Sequence, residues 1–214
     1  MITDVAWDFD GTLCDSYPYI LRCFQKALRD FGIADDEKRM LGRIKTTVGR
    51  AACLYGAEND IPPETILSRF QSYNAIPDYR NVRPYPGVLG CLAFVTAHGG
   101  RNHLYTHRHK EVHAYLSKFG MTPYFVSFIT GDDGFPQKPA PDALRSLLDR
   151  FAISKDHLMM IGDRPIDIEA GWNAGCATCF FNSNGFPIPP HATYATKKCD
   201  QLQKILEGIL PSSS

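Results

Sequence analysis

The segment Val5-Ala6-Trp7-Asp8-Phe9-Asp10-Gly11-Thr12-Leu13 decides the fold of this 214-residue chain. It begins with a short, mostly apolar run that contains one β-branched and two aromatic side chains, which is typical of a buried strand in an α/β sheet. Gly11 ends the run, because glycine permits a tight turn of the backbone. Asp8 therefore lies at the carboxyl end of the first strand.

Strand-like runs return in the second half of the chain, where they alternate with helical patterns. We predict strands at residues 5–9, 103–106, 125–129, 158–161 and 177–181, and helices at residues 111–119, 141–151 and 166–174. Strands that alternate with helices indicate a parallel sheet, because parallel strands need long crossover connections. The expected fold is α/β, with a Rossmann-like, doubly wound parallel sheet.

A helical segment interrupts this alternation soon after the first strand. Apolar residues recur at helical spacing at Ile20, Leu21, Phe24, Ala27 and Leu28, and again at Ile66, Leu67 and Phe70. Residues 81–87 contain two prolines and a glycine, which are typical of a hinge. We predict a core domain of residues 1–15 and 84–210, a small inserted helical domain of residues 16–83, and a flexible tail of residues 211–214.

Composition and charge point to a small-molecule partner. The 23 basic and 23 acidic residues give a formal net charge of zero, so the basic footprint of a nucleic-acid binder is missing. The sequence has no signal-peptide pattern and no run apolar enough to span a bilayer. Seven scattered cysteines, including the Cys176/Cys179 pair, favour reduced core thiols. We expect a cytoplasmic protein, a monomer or weak homodimer, without nucleic-acid or membrane partners.

Asp8 and Asp10 are the first candidates for chemistry. They leave the strand on the same side, two residues apart, so that one carboxyl can attack while the other moves a proton. Two isolated aspartates in this spacing more often cap a turn. The complete string Asp8-Phe9-Asp10-Gly11-Thr12-Leu13 at a strand end favours catalysis.

Three further strand ends carry polar residues that can meet Asp8 at one edge of the sheet. The hydroxyl of Thr106 can hold phosphoryl oxygens. Lys138, in Gln137-Lys138-Pro139-Ala140-Pro141-Asp142, can offset negative charge. Asp163 and Asp167 follow the run at 158–161, and with Asp8 they form an oxygen-rich site suited to Mg²⁺.

These four elements, in this order, resemble the four signature motifs of the haloacid dehalogenase superfamily. The resemblance implies that Asp8 is the nucleophile and a metal ligand, and that Asp10 is the acid/base residue, which also binds metal through its backbone carbonyl. It further implies that Thr106 binds phosphate, that Lys138 is the motif lysine, and that Asp163 and Asp167 are the acidic metal-site residues. Because Asp10 is present, phosphoryl transfer is expected and the dehalogenase and phosphonate-cleaving members are excluded. Mg²⁺ is the implied cofactor.

The inserted segment resembles the cap domain of the phosphoglycolate phosphatase and β-phosphoglucomutase subgroup. Residues 47–52 resemble the cap loop that reaches the pocket there, and Arg50 is the candidate for binding an anionic or hydroxylated end of the substrate. His107 and Arg108 either line the phosphate pocket or begin a helix. Arg164 either pairs with a carboxylate or adds positive charge near phosphate.

His109 and His113 stand four apart on a predicted helix, but they lack the zinc-protease arrangement, and a solvated helix face is the preferred interpretation. The sequence as a whole predicts a Mg²⁺-dependent phosphatase that acts on a small phosphorylated metabolite through an aspartyl-phosphate intermediate. A phosphoglycolate-like substrate is favoured. The alternatives are a phosphosugar mutase and a non-catalytic protein that binds a phosphorylated metabolite.

Overall fold

The computed structural model describes residues 1–183 and 185–211. The chain divides into two compact units, one formed by Met1–Asp15 with Pro84–Ser214 and the other by Ser16–Arg83. We call them the core unit and the inserted unit. Of the predicted flexible tail, residues 212–214 lie outside the described residues.

The core unit contains a six-stranded sheet whose paired strands all run parallel. The strands of the described residues are β1 (Asp4–Trp7), β2 (Cys14–Asp15), β3 (Arg83–Pro84), β4 (Arg101–Tyr105), β5 (Phe125–Ile129), β6 (Leu158–Gly162), β7 (Ala177–Phe181) and β8 (Tyr194–Thr196). The sheet order is β5-β4-β1-β6-β7-β8. The chain therefore builds outward on one side of β1 and then returns to the other side, so the carboxyl end of β1 lies at the topological switch point. The predicted doubly wound α/β sheet is confirmed.

Helices connect these strands and make up the inserted unit. They are α1 (Tyr17–Arg29), α2 (Glu37–Thr46), α3 (Val48–Asn59), α4 (Pro63–Asn74), α5 (Val88–Ala97), α6 (Val112–Lys118), α7 (Asp142–Phe151), α8 (Pro165–Ala174) and α9 (Cys199–Ile209). Among the helices that residues 1–183 and 185–211 form, none is both long and apolar enough to cross a membrane.

All five predicted strands are present, but some of their ends differ from the prediction. The prediction that β1 reaches Phe9 was wrong, because β1 ends at Trp7 and the carbonyl of Phe9 accepts turn hydrogen bonds from the amides of Leu13 and Cys14 at 3.1 and 3.0 Å. The edge strand β8 was not predicted. Three residues are too short to show the alternation from which strands are recognised.

Every residue of β1 and β6 is buried. Helices cover both faces of a doubly wound sheet, so its central strands are continuous apolar runs without a polar face. For this reason the apolar runs at residues 5–9 and 158–161 could be recognised as buried strands from the sequence. In β1 the buried indole Nε1 of Trp7 donates to the side-chain oxygen of Asn102 at 2.8 Å, which satisfies its polar atom inside the core.

In the inserted unit, aromatic packing joins three helices. The ring centroid of Phe24 on α1 lies 5.7 Å from that of Tyr55 on α3 and 5.9 Å from that of Phe70 on α4. Most of the predicted apolar stripe of α1 is buried, including Ile20 and Leu28. Burial of these faces stabilises helices that are each too short to be stable alone.

The prediction of a loop at residues 47–52 was wrong. Helix α3 begins at Val48, and the side chain of Thr47 caps it by accepting a hydrogen bond from the backbone N–H of Arg50 at 2.9 Å. Threonine is a preferred N-cap residue because its hydroxyl satisfies an N–H that the helix leaves unpaired. Arg50 is therefore an exposed residue in the first turn of α3.

The prediction of one helix that carries both His109 and His113 was also wrong. Helix α6 begins at Val112, so His109 lies before it, where its Nδ1 is 2.6 Å from Oδ1 of Asp132. The ring of His113 packs against that of Phe128, with centroids 5.0 Å apart. His109 therefore pairs with a carboxylate, and His113 packs against an aromatic ring.

A polar network, buried except for the half-exposed Arg101, lies at the amino end of β1, opposite the end that carries Asp8. Oδ1 of Asp4 is 2.7 Å from Nε of Arg101 and 2.8 Å from Nε2 of His103, whose Nδ1 is 2.7 Å from the hydroxyl oxygen of Ser127. Burial alone would raise the pKa of Asp4, but the bonds from His103 and Arg101 lower it to about 2. The network joins β1, β4 and β5.

Protonation of Asp4 at low pH should therefore lower the free energy of unfolding. The pKa of Asp4 is lower in the folded than in the unfolded chain, so ionised Asp4 stabilises the fold above pH 4. This contribution to the free energy of unfolding, about 2 kcal/mol, is lost as the pH falls toward 2. We expect the Asp4→Asn variant to be less stable at pH 7 and to lose less stability between pH 4 and pH 2 than the wild type. Urea unfolding across this range measures both. Equal losses in the two proteins would contradict this assignment.

Candidate active site

Three carboxylates meet where β1 and β6 end. Trp7 pairs with Ile161 in the sheet, so the residues that follow, Asp8 and Asp163, leave adjacent strands at the same edge. One carboxylate oxygen each of Asp8, Asp163 and Asp167 lies within 4.8 Å of the others, and all three residues are buried. Three buried carboxylates this close repel one another unless positive charge lies among them.

Lys138 supplies part of that charge. Its Nζ donates to Oδ1 of Asp8 at 2.8 Å, to Oδ1 of Asp167 at 2.7 Å and to the backbone carbonyl of Tyr105 at 2.9 Å. Nζ also lies 4.4 Å from the centroid of the Tyr105 ring, within the range of a cation–π interaction. Burial lowers the pKa of Lys138, but the facing carboxylates of Asp167 and Asp8 outweigh it and raise the pKa above its ordinary value. The ammonium group is therefore charged.

The two carboxylate oxygens of Asp8 differ in their hydrogen bonding. Oδ1 accepts the bond from Lys138, whereas Oδ2 is buried and receives no hydrogen bond from the described residues. Burial raises the pKa of Asp8 to about 6 in spite of the Lys138 charge. A buried carboxylate oxygen without a donor is costly, so Oδ2 marks the place where a reacting atom fits.

The cluster of Asp8, Asp163 and Asp167 suits a hard divalent cation. The neighbouring Asp163 and Asp167 offer only carboxylate oxygens, which are the ligands that Mg²⁺ prefers. Lys138 and the loosely paired Arg164 bring two positive charges to three carboxylates, so a further positive charge stabilises the cluster. The residues present thus fit Mg²⁺.

Both carboxylate oxygens of Asp167 accept hydrogen bonds. Oδ1 accepts from Lys138, and Oδ2 accepts from the backbone N–H of Arg164 at 3.0 Å at the start of α8. Burial acts to raise the pKa of Asp167, but the positive charges of Lys138 and Arg164 hold it below its usual value. Asp167 thus orients Lys138. The guanidinium Nε of Arg164 lies 4.0 Å from Asp163 and 3.8 Å from Asp167, so it pairs loosely with both carboxylates.

Gly162 makes room for Asp167. A Cβ atom at position 162 would lie 2.2 Å from Cβ of Asp167 and 2.5 Å from its carboxyl carbon. Both distances are far below van der Waals contact, so any other residue here would displace the carboxylate that holds Lys138.

Asp10 is held by Arg108. Nε of Arg108 donates to Oδ1 of Asp10 at 2.8 Å. The guanidinium carbon lies 5.4 Å from the ring centroid of Phe9 and 5.3 Å from that of Tyr115, and the side chain is almost fully buried. Aromatic faces on its flanks restrict the guanidinium group and thereby fix the carboxyl that it binds.

The segment after β4 places Thr106 and His107 in this site. Thr106 is buried, and its hydroxyl accepts a hydrogen bond from the backbone N–H of Arg108 at 3.1 Å. Nε2 of His107 accepts from the backbone N–H of Lys138 at 3.0 Å. Burial, with the charges of Lys138 and Arg164, lowers the pKa of His107 to about 3. The ring is therefore neutral and fixes the backbone of Lys138.

The core unit thus brings together seven of the eight predicted site residues, namely Asp8, Asp10, Thr106, His107, Lys138, Asp163 and Asp167. Arg50 belongs to the inserted unit. Sequence reasoning missed Tyr105, whose carbonyl and ring contact Lys138, and Ser183, whose hydroxyl donates to the carbonyl of Gly11 at 2.6 Å. Tyr105 is the next-to-last residue of the predicted strand at 103–106 and Ser183 follows the predicted strand at 177–181, and this position at the active edge of the sheet is the signal that identifies them.

Comparisons with known proteins agree with this geometry. Residues 5–181 match the model of the haloacid dehalogenase-like hydrolase family. The chain is similar to a phosphoglycolate phosphatase of Rhodospirillum rubrum, at 31% identity over 80% of this chain and 76% of that protein. It is also similar to a phosphoglycolate phosphatase of Vibrio parahaemolyticus, at 28% identity over 98% of this chain and 96% of that protein.

Solved structures share the fold. A haloacid dehalogenase-like hydrolase from Bacteroides fragilis has a TM-score of 0.84 and 21% identity, and the match covers 94% of this chain and all of that one. The predicted resemblance, and with it the prediction of a hydrolytic enzyme, are confirmed. The chain therefore belongs to the haloacid dehalogenase-like hydrolase family.

Proposed function

We propose that this enzyme is a Mg²⁺-dependent phosphatase that hydrolyses a small phosphate monoester through an aspartyl phosphate on Asp8. The observation that carries the proposal is the asymmetry of Asp8. Its Oδ1 is bound by Lys138, and its buried Oδ2 is left without a hydrogen-bond donor from the described residues. An anionic oxygen that no donor engages retains its reactivity toward phosphorus.

Asp8 and Lys138 perform the first step in this account. Lys138 fixes one oxygen of the Asp8 carboxylate, so the other faces a bound phosphoryl group in a constant orientation. The hydroxyl of Thr106, at the same edge of the sheet, contributes a donor for the phosphoryl oxygens. Oδ2 then forms the bond to phosphorus as the ester oxygen leaves.

Asp10 moves the protons. In its acid form it protonates the departing alkoxide, and the resulting carboxylate takes a proton from the water that attacks the aspartyl phosphate. Arg108 holds Oδ1 of Asp10 at 2.8 Å and keeps the carboxyl in one orientation through both steps. We therefore assign Arg108 as a positioning residue.

The metal would be held by carboxylates of the same cluster. Asp8 and Asp163 are the proposed direct ligands, together with the backbone carbonyl of Asp10. Asp167 is proposed to act through water, because Lys138 and the N–H of Arg164 already engage its two oxygens. Bound Mg²⁺ supplies positive charge that lowers the repulsion between Asp8 and the incoming phosphate.

The inserted unit is proposed to act as the cap that selects the substrate. Arg50, exposed in the first turn of α3, offers a guanidinium group suited to a carboxylate or hydroxyl group of the substrate. Relatives named phosphoglycolate phosphatase support a small, doubly anionic substrate of this kind. We further propose that the enzyme works in the cytoplasm as a monomer or weak dimer.

Phosphate release from a panel of small monoesters, including phosphoglycolate, tests the proposal. We expect release to require Mg²⁺, to vanish with EDTA and in Asp8→Asn, and to fall by about 10²- to 10⁴-fold in Asp10→Asn with alkyl esters. Asp149→Asn, a change on an exposed face of α7, is the matched control and should keep wild-type activity.

Three results, from that assay and from isomerisation and binding assays on the same protein, would overturn the proposal. Release by Asp8→Asn at the wild-type rate excludes Asp8 as nucleophile. Isomerisation of a hexose phosphate in the presence of a bisphosphate, without net phosphate release, identifies a mutase. Tight binding of a phosphorylated metabolite without turnover identifies a binding protein.

A separate prediction concerns the role of Arg108 in positioning Asp10. We expect Arg108→Met to lower kcat by about 10²-fold with little change in KM, because the Asp10 carboxyl loses its fixed orientation. Arg108→Lys should recover part of the loss. In an Asp10→Asn background the same Arg108→Met change should have almost no further effect, since both act on one group. Fully additive losses in steady-state assays would show that Arg108 does not act through Asp10.

A further inference from the structure

Two cysteines that the proposed reaction does not use lie in contact within the core unit. Cys91 is on α5 and Cys199 is the first residue of α9, and both are buried. Sγ of Cys91 donates to the backbone carbonyl of Cys199 at 3.4 Å, and each thiol shifts the pKa of the other. The two helices pack on each other, which keeps the two cysteines in contact.

The two thiols differ in acidity. The Cys91 thiol lowers the pKa of Cys199, although burial opposes the effect. The Cys199 thiol, with burial, raises the pKa of Cys91. Cys199 also stands at the amino-terminal end of α9, where the helix dipole favours negative charge. Cys199 is therefore the better nucleophile, and Cys91 is the partner that carries the proton.

A cavity of about 480 Å³ gives a small reagent access to Cys199. It is lined by apolar surface of Tyr85 and Phe181 and by the exposed residues Lys197 and Lys198. Cys91 does not line this cavity, so a reagent reaches the pair through Cys199.

We propose that Cys199 and Cys91 are a reversible oxidation site, at which a hydroperoxide produces a disulfide between α9 and α5. The Cys199 thiolate attacks the peroxide, so that a sulfur–oxygen bond forms, the oxygen–oxygen bond breaks and an alcohol or water leaves. Sulfur is oxidised to sulfenic acid as the peroxide is reduced. The Cys91 sulfur then attacks Cys199, its proton leaves with the hydroxide as water, and the disulfide forms.

Three of the other cysteines differ from this pair in acidity or in position. Cys179 is buried in β7, and burial raises its pKa to about 12. Burial also raises the pKa of Cys176, to about 11. Cys53 is exposed on α3 of the inserted unit. A Cys53→Ser variant therefore removes the most accessible competing thiol and leaves the pair intact.

The test is oxidation of the folded Cys53→Ser protein with hydrogen peroxide, followed by peptide mapping without reductant. We expect a peptide that links Cys91 to Cys199, the loss of two titratable thiols, and recovery of both with dithiothreitol. The disulfide should raise the melting temperature by about 5 to 15 °C, because it restricts the unfolded chain. Linkage of Cys91 to Cys179, or no intramolecular disulfide, would overturn the proposal.

A second variant separates the two roles. In Cys91→Ser, the sulfenic acid on Cys199 cannot be resolved, so dimedone should label Cys199 after peroxide treatment. In Cys199→Ser, Cys91 should remain unlabelled, because its own acidity and access are poor. Labelling of Cys91 at the same rate as Cys199 would contradict the assignment of Cys199 as the reacting thiol.

Discussion

The buried ammonium group of Lys138 is the interaction on which the rest of the site depends. It joins the carboxylates of Asp8 and Asp167 to the carbonyl of Tyr105, so it ties the ends of β1 and β4 to the first turn of α8. Three buried carboxylates at one sheet edge would otherwise repel each other strongly. Because Lys138 engages only one oxygen of Asp8, it stabilises the cluster and leaves the second oxygen for chemistry.

Sheet topology explains why these groups meet and why chemistry and stability are separated along β1. The switch in winding direction beside β1 opens a crevice at its carboxyl end, where Asp8 lies. The amino end is closed by the network of Asp4, Arg101 and His103. The polar groups at the amino end of β1 thus have hydrogen-bond partners, whereas at the carboxyl end Oδ2 of Asp8 has none among the described residues.

The sequence predicts the sheet and most of the site because both depend on local patterns. Apolar runs mark the buried strands, and polar residues that follow them mark the active edge. It could not predict that Arg108 binds Asp10, since this contact joins residues 98 positions apart and depends on packing against Phe9 and Tyr115. The start of α3 at Val48 was missed for another reason, because Thr47 can cap a helix or continue a loop.

The central claim is that phosphorus becomes bonded to Asp8. Its most direct test uses the Asp10→Asn variant with Mg²⁺ and an aryl phosphate, whose leaving group needs no protonation, so that the intermediate forms but is hydrolysed slowly. After an acid quench, peptide mass analysis should find one phosphoryl group on Asp8, and none when Asp8→Asn is added. Release of the aryl alcohol without a phosphorylated peptide, or with phosphate on another residue, would contradict the account.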